Sequence, residues 1–134
     1  MPKKYQLSEG ARFQESLDQL LSYHYFPPGR KGRRLERELL DLIAEIVEHI
    51  VSEPHHYDLE PWPPGVSSSG WIFRKADAIF RGFSDRAQLV RLMYAVSDEM
   101  REVRLLLVYT HAQFSTRPGD ESLLTALKGL FDWP

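Results

Sequence analysis

Three apolar runs rich in β-branched and aromatic residues follow one another in the second half of the chain. They are WIFRKADAIF (71–80), QLVRLMYAV (88–96) and EVRLLLVYT (102–110), and only short polar breaks separate them. Runs of this composition predict β-strands. Because the breaks are too short for a parallel crossover, the three strands are expected to form an antiparallel meander. This meander limits the possible folds more than any other feature of the sequence.

Two amphipathic helices are predicted before the strands. The first is expected to begin after Ser8 as N-cap, and the turn YHYFPPG ends it because proline cannot continue a helix. The second runs from Lys31 to Ser52 with a strong 3.6-residue apolar period. The apolar faces of the two helices are formed by Phe13, Leu17, Leu20 and Leu21, and by Leu35, Leu39, Leu42, Ile43, Ile46, Val47 and Ile50.

The remaining segments complete a predicted order β, α, α, β, β, β, α. Residues 4–7 are predicted to form a short strand, residues 53–70 a proline-rich loop, and residues 120–131 a short helix with acidic residues in its first turn. The fold class is therefore α+β: a small antiparallel sheet packed on one face against an N-terminal helix hairpin, with a short C-terminal helix. At 134 residues, the whole chain (1–134) is expected to be one domain.

Several kinds of site are disfavoured by composition. The chain has no cysteine, so it has no disulfide and no thiolate metal site, and it has no Gly-rich phosphate loop, GxSxG or HExxH motif. His55 and His56 are adjacent in a loop, a spacing that does not favour a metal. We expect no metal and no cofactor. No run of about 20 apolar residues is present, so we expect a cytoplasmic protein with no membrane partner.

Charge is distributed unevenly along the chain. The net charge is −2, yet residues 71–117 contain eight basic and five acidic residues. A local cationic face on an acidic protein can bind phosphate. A second basic run, GRKGRRLER, begins helix two. It could contact RNA or an acidic partner, or it could be a solvated helix start.

Arg91 and His111 are the leading candidates for chemistry. Alternation in strand 88–96 places Arg91 with Leu89 and Met93, opposite the apolar set headed by Val90. Arg91 is either a surface arginine paired with an acidic neighbour or a guanidinium held for a phosphate. His111 is either an ordinary histidine at a strand end or a proton-transfer group. In an antiparallel pair folded about SDEMR, the ends that carry these two residues meet.

Other residues could extend this face. Arg74, Lys75 and Arg81 lie on the preceding strand, and Phe114 and Trp71 could stack a base. The alternative for both aromatic residues is a place in the core.

RLMYAV on one strand and VYTHAQF at the end of the next are similar to motifs of the RelE/ParE toxin superfamily of bacterial toxin-antitoxin systems. RLMYAV resembles the R-L-[VI]-Y-x-[VI] strand of RelE, YoeB and YafQ types, and THAQF resembles the T-H-x-x-L-F ending of the YafQ type, here one residue shorter. The likeness covers residues 4–17 and 35–131.

The resemblance implies a metal-independent endoribonuclease, an mRNA interferase that often acts on the ribosome by activating a ribose 2'-OH. Arg91 would then bind phosphate, His111 would be the general acid or base, Phe114 would stack a base, and Arg74 would be a supporting cation. An antitoxin protein would be the partner.

The chain also departs from the family. It is acidic and longer, it carries the insertion AIFRGFSDRAQ, and Phe114 is the only counterpart of the terminal tyrosine of RelE. The superfamily includes ParE-type proteins that do not cut RNA, so the alternative is a ParE-like or catalytically silent protein-binding module.

Overall fold

The computed structural model describes residues 4–64, 66 and 70–127. The elements, in chain order, are β1 (Gln6–Glu9), α1 (Phe13–Tyr23), α2 (Arg30–Ser52), β2 (Asp58–Leu59), β3 (Trp71–Ile79), a 3₁₀ turn (Asp85–Gln88), β4 (Leu89–Ser97), β5 (Glu102–Thr110) and α3 (Asp120–Ala126). The predicted α+β class and the order of the main elements are confirmed. The predicted 120–131 helix extends beyond the described residues.

The sheet is mixed. Its order is β1-β5-β4-β3-β2, with β3, β4 and β5 antiparallel as predicted. β1 lies parallel to β5, so the expectation of a wholly antiparallel sheet is wrong. This pairing is possible because both helices and the meander separate the two strands in sequence, which leaves room for a parallel arrangement.

The N-terminal boundary differs from the prediction. Ser8 lies inside β1 and donates its hydroxyl to Glu102 at 2.6 Å, so it does not cap a helix. The first helix begins five residues later, at Phe13. Ser8 was a misleading signal because a strand hydroxyl paired across the sheet and an N-cap hydroxyl look alike in sequence.

The sheet is covered on both faces. The larger core packs α1 and α2 against one face and includes Leu20, Leu39, Ile50, Val90 and Leu92. A second core on the other face includes Phe73, Met93 and Leu106, and it is closed by Leu123 of α3. The expectation that helices pack on one face only is therefore wrong.

The two cores explain an irregularity in the meander. The register shifts between Met93, which pairs with Leu107, and Tyr94, which pairs with Leu105, so Leu106 has no partner in β4. This bulge lets both Leu106 and Leu107 enter the second core. The strands downstream of it still bring the end of β5 beside the start of β4.

Candidate active site

The start of β4 and the end of β5 form one corner of the sheet. Arg91 pairs in register with Tyr109, and the His111 backbone N–H donates to Leu89 O at 3.0 Å. The predicted meeting of the Arg91 and His111 segments is therefore present. Strand pairing alone positions these two residues on neighbouring strands.

Arg91 is held by a bidentate ion pair. Its Nε and Nη2 donate to the two carboxylate oxygens of Asp77 at 2.7 and 3.0 Å, directly across the β3–β4 pair, and Nη1 donates to Thr116 O at 3.0 Å. The hydrogen bonds that Arg91 donates to Asp77 raise the pKa of Arg91. The Arg91 side chain is only 11% exposed. A phosphate would therefore have to compete with Asp77 for this guanidinium.

Tyr109 connects the groups at this corner, although it was not singled out in the sequence. Its hydroxyl donates to the same Thr116 carbonyl at 2.9 Å, and burial raises its pKa to about 12. Its ring is parallel to that of His111 (centroids 6.4 Å apart, 13° between planes) and meets Phe114 edge to face at 5.5 Å. The sequence does not indicate a role for Tyr109 at a site, because a tyrosine within an apolar run is typical of a core residue.

His111 is partly buried. Burial lowers its pKa first, and the positive charge of Arg91 lowers it further. The charges of Arg86 and Lys75 act in the same direction. The charge of Asp77 acts in the opposite direction, and the net shift favours the neutral imidazole. Its Nε2 is buried and has no hydrogen-bond partner among the described residues, as is also true of Nε of Arg74. A buried polar atom without a partner costs about 1–3 kcal/mol.

Lys75 lies on the same face as Arg91 but is neutralised. Its Nζ lies 3.1 Å from Glu60, and Arg117 donates to the same carboxylate at 2.7 Å. The Glu60 side chain is 6% exposed. Two cations around one buried carboxylate form a structural cluster that attaches the loop before β3 to the segment before α3.

Arg74 does not join the corner, and the expectation that it shares a face with Arg91 and Lys75 is wrong. Successive strand residues point to opposite faces, so Arg74 lies on the α1–α2 side. There it donates to Tyr57 O at 2.6 Å and contacts His55 Nδ1 at 3.3 Å. Arg74 stabilises the loop before β2.

The other two predicted contacts lie near the corner. Arg81 follows the end of β3, is exposed, and makes no ion pair or hydrogen bond within the described part of the chain. Phe114 is 38% exposed beside Tyr109. Trp71, considered as a stacking residue, is buried in the second core instead.

Gln113 has a fixed orientation next to this corner. Its Oε1 accepts the backbone N–H of Thr110 at 2.9 Å. Because a backbone N–H can only donate, the amide oxygen is fixed there and both amide N–H donors lie on the other side. Gln113 lines a small cleft of about 80 Å³ together with Gln19, Tyr109 and Phe114. The cleft offers ring surfaces and hydrogen-bond donors within a few residues of His111.

The described residues contain no group of three or more His, Asp or Glu side chains that could hold a metal ion. His55 instead contacts Asp98 through Nε2 at 2.7 Å. In residues 4–64, 66 and 70–127, no helix has the length and apolar character needed to cross a membrane.

In comparisons with known proteins, no family model matches this chain and no curated protein matches it.

Proposed function

We propose that this chain is a RelE-like toxin of a bacterial type II toxin-antitoxin system, a metal-independent endoribonuclease that acts on mRNA in the cytoplasm, on or near the ribosome. The observation that carries the proposal is the position of His111 at a strand end, on the strand that pairs with the one carrying Arg91. Burial and the charge of Arg91 lower the pKa of His111 there. Such a group can accept a proton at neutral pH while the cations attract an anion.

In this reaction Nδ1 of His111 takes the proton of the ribose 2'-OH, since Nε2 is buried. The 2'-oxygen attacks the adjacent phosphorus, the bond from phosphorus to the 5'-oxygen breaks, and the leaving 5'-oxygen takes a proton from water. The products are a 2',3'-cyclic phosphate and a 5'-OH. Phe114 offers an exposed ring to a neighbouring base.

Arg91 has two possible parts in this reaction. Exchange of Asp77 for a phosphate would make it a direct ligand of the negative charge that develops on the phosphate. Retention of Asp77 would make Arg91 a positioning residue that orders Tyr109 beneath His111 through Thr116. The proposal does not need Arg74 as a substrate contact, because Arg74 lies on the other face.

The test is cleavage of mRNA by purified protein in the presence of EDTA, with product ends mapped for cyclic phosphate. His111→Gln should reduce the cleavage rate by about 10²- to 10⁴-fold, the usual contribution of a general acid or base. His56→Gln, which changes an exposed histidine of the 53–57 loop, is the matched control and should cleave as the wild type does. Circular dichroism checks that both variants fold. Cleavage by His111→Gln at the wild-type rate would remove His111 from the mechanism.

A second candidate is the protein-binding module, and a different surface favours it. A groove of about 950 Å³ runs between β1 and α2 and is lined mainly by apolar side chains, among them Leu7, Val47 and Val51. Leu7 is 48% exposed. An amphipathic helix of an antitoxin, or of another target, would bury these residues.

The two candidates differ in induced cells. If the chain acts only by binding a protein, growth arrest should persist in His111→Gln and should be lost in Leu7→Asp. Gln6→Asp is the control, since Gln6 is the exposed neighbour of Leu7 in β1 and does not line the groove. Growth arrest that requires His111 and accompanies mRNA cleavage would argue against this second candidate.

A further inference from the structure

Three segments that are far apart in sequence converge beside His111. His24, at the end of α1, stacks on Phe83 at 4.4 Å and contacts Thr110 Oγ1 at 2.7 Å. The Tyr23 hydroxyl donates to Ala112 O at 3.0 Å. Residues 23–29, 80–88 and 110–116 thus form one continuous end of the molecule.

The first turn of α2 is attached to the same end. Gly32 packs so closely on the Pro27 carbonyl that a Cβ would overlap it, and Leu35 lies against Gly82. This packing places the basic run of α2 beside the 80–88 segment. We define the basic end as six exposed cations, Arg30, Lys31, Arg33, Arg34, Arg81 and Arg86.

Most of this positive charge is unpaired. Among the described residues, Arg34 is the only one of the six with an ion pair, to Glu38 at 3.0 Å. Asp85 and Glu36 are the other acidic residues in these two segments. The basic end is therefore cationic on a chain whose net charge is −2.

Exposed aromatic rings accompany the cations. Tyr25 is 76% exposed and Tyr23 58% exposed. Tyr25 also lines an open cleft of about 380 Å³ with His24, Pro27 and Phe83. A ring this exposed contributes little to the core. Aromatic faces among unpaired cations are the combination that binds single-stranded nucleic acid, since bases stack on the rings while the cations follow the phosphates.

We propose that the basic end binds single-stranded RNA and leads the strand from the His24–Tyr25 cleft to His111. An acidic protein partner would pair with the cations but has no bases to stack on the exposed rings. A duplex is also disfavoured, because its bases are already stacked inside it. The path to His111 rests on the proposed function, whereas binding by the basic end does not require cleavage.

The test measures the affinity of a fluorescein-labelled single-stranded RNA of mixed sequence by anisotropy, as a function of salt. For single strands the logarithm of affinity falls with the logarithm of salt by about 0.7 per phosphate contact. Lys31→Glu/Arg33→Glu should weaken binding at least about tenfold in low salt and lower the slope by about 1.4 if two contacts are lost. Tyr25→Ser should weaken it at least about fivefold with no change in slope.

The matched control is Lys4→Glu/Arg12→Glu, which makes the same change in net charge at exposed positions outside the basic end. It should bind nearly as the wild type does. Equal weakening by both double variants, wild-type binding by Tyr25→Ser, or equal affinity for a duplex of the same sequence would overturn the proposal. Binding without cleavage by the wild type would leave this inference standing and would refute the nuclease.

Discussion

The ion pair between Arg91 and Asp77 gives the sharpest test of how the candidate site is built. Asp77→Asn keeps the shape of the side chain and removes its charge, so Arg91 is left partly buried without its counterion. The Arg91 side chain is 11% exposed and that of Asp77 is 35% exposed. The pair therefore lies between a surface ion pair, worth about 0–1 kcal/mol, and a buried one, whose disruption costs about 3–5 kcal/mol.

We expect Asp77→Asn to lower the free energy of unfolding by about 2 kcal/mol, or about 7 °C in Tm for a chain of this size. Urea unfolding of Asp77→Asn, Arg91→Gln and the double variant gives the coupling energy of the pair. We expect a coupling above about 1 kcal/mol. A coupling below about 0.5 kcal/mol would refute the inference that the bidentate geometry stabilises this corner.

The same variant separates the two parts proposed for Arg91. If Arg91 is a direct phosphate ligand, removal of its competitor should tighten binding of single-stranded RNA even as the protein becomes less stable. If Arg91 only positions Tyr109, RNA affinity should be unchanged and the cleavage rate should fall. Fluorescence anisotropy and single-turnover cleavage measure the two effects separately.

Three further predictions concern the surroundings of the site. Ser16→Ala should lower the free energy of urea unfolding by about 1–3 kcal/mol, because the buried hydroxyl accepts the Val108 N–H at 3.0 Å and the variant leaves that N–H without an acceptor. Ser122→Ala, at an exposed position, is the control and should leave the free energy almost unchanged. Gly32→Ala should lower the free energy of unfolding by about 1–3 kcal/mol, because the new Cβ overlaps the Pro27 carbonyl. Gly119→Ala is the control, since a Cβ there meets no atom within 4 Å, and equal stability of the two variants would contradict this packing. Stability should fall as pH drops below about 6.5, because burial lowers the folded-state pKa of His24 and His111 and the unfolded chain then binds more protons. His24→Gln should flatten this dependence between about pH 7.5 and 5.5, and an unchanged slope would count against a lowered pKa of His24.

The meander could be predicted because its evidence is local. Each run is continuous in sequence, and the breaks are too short for anything except antiparallel pairing. The parallel pairing of β1 with β5 had no comparable signal. Gln6 and Glu102 are partners across almost the whole chain. A four-residue strand with three exposed positions carries little pattern from which such a partner could be found.

The sequence did contain signals against two of the wrong expectations, that helices cover one face of the sheet only and that Arg74 shares a face with Lys75. LVRLMYAV is apolar on both faces except at Arg91, a pattern that indicates burial on both sides of the sheet. Arg74 and Lys75 are adjacent in one strand, so alternation alone excludes a shared face. In contrast, the Thr116 carbonyl that joins Arg91 to Tyr109 belongs to a loop. No residue pattern could have placed that carbonyl there.

Both interpretations of Arg91, as a paired structural residue and as a phosphate ligand, depend on its need for a negatively charged partner. An arginine flanked by Leu89 and Met93 must bring its charge into a largely apolar environment, so it needs a counterion whether or not it binds a substrate. Asp77 supplies that counterion at the register position directly opposite. Pairing therefore explains how Arg91 is tolerated, and it does not by itself exclude a phosphate ligand, since a phosphate would satisfy the same need. The two roles differ in whether Asp77 can separate from Arg91 without unfolding the corner. If Asp77 separates, the hydrogen bonds of Arg91 and Tyr109 to Thr116 are the contacts that would hold the corner together.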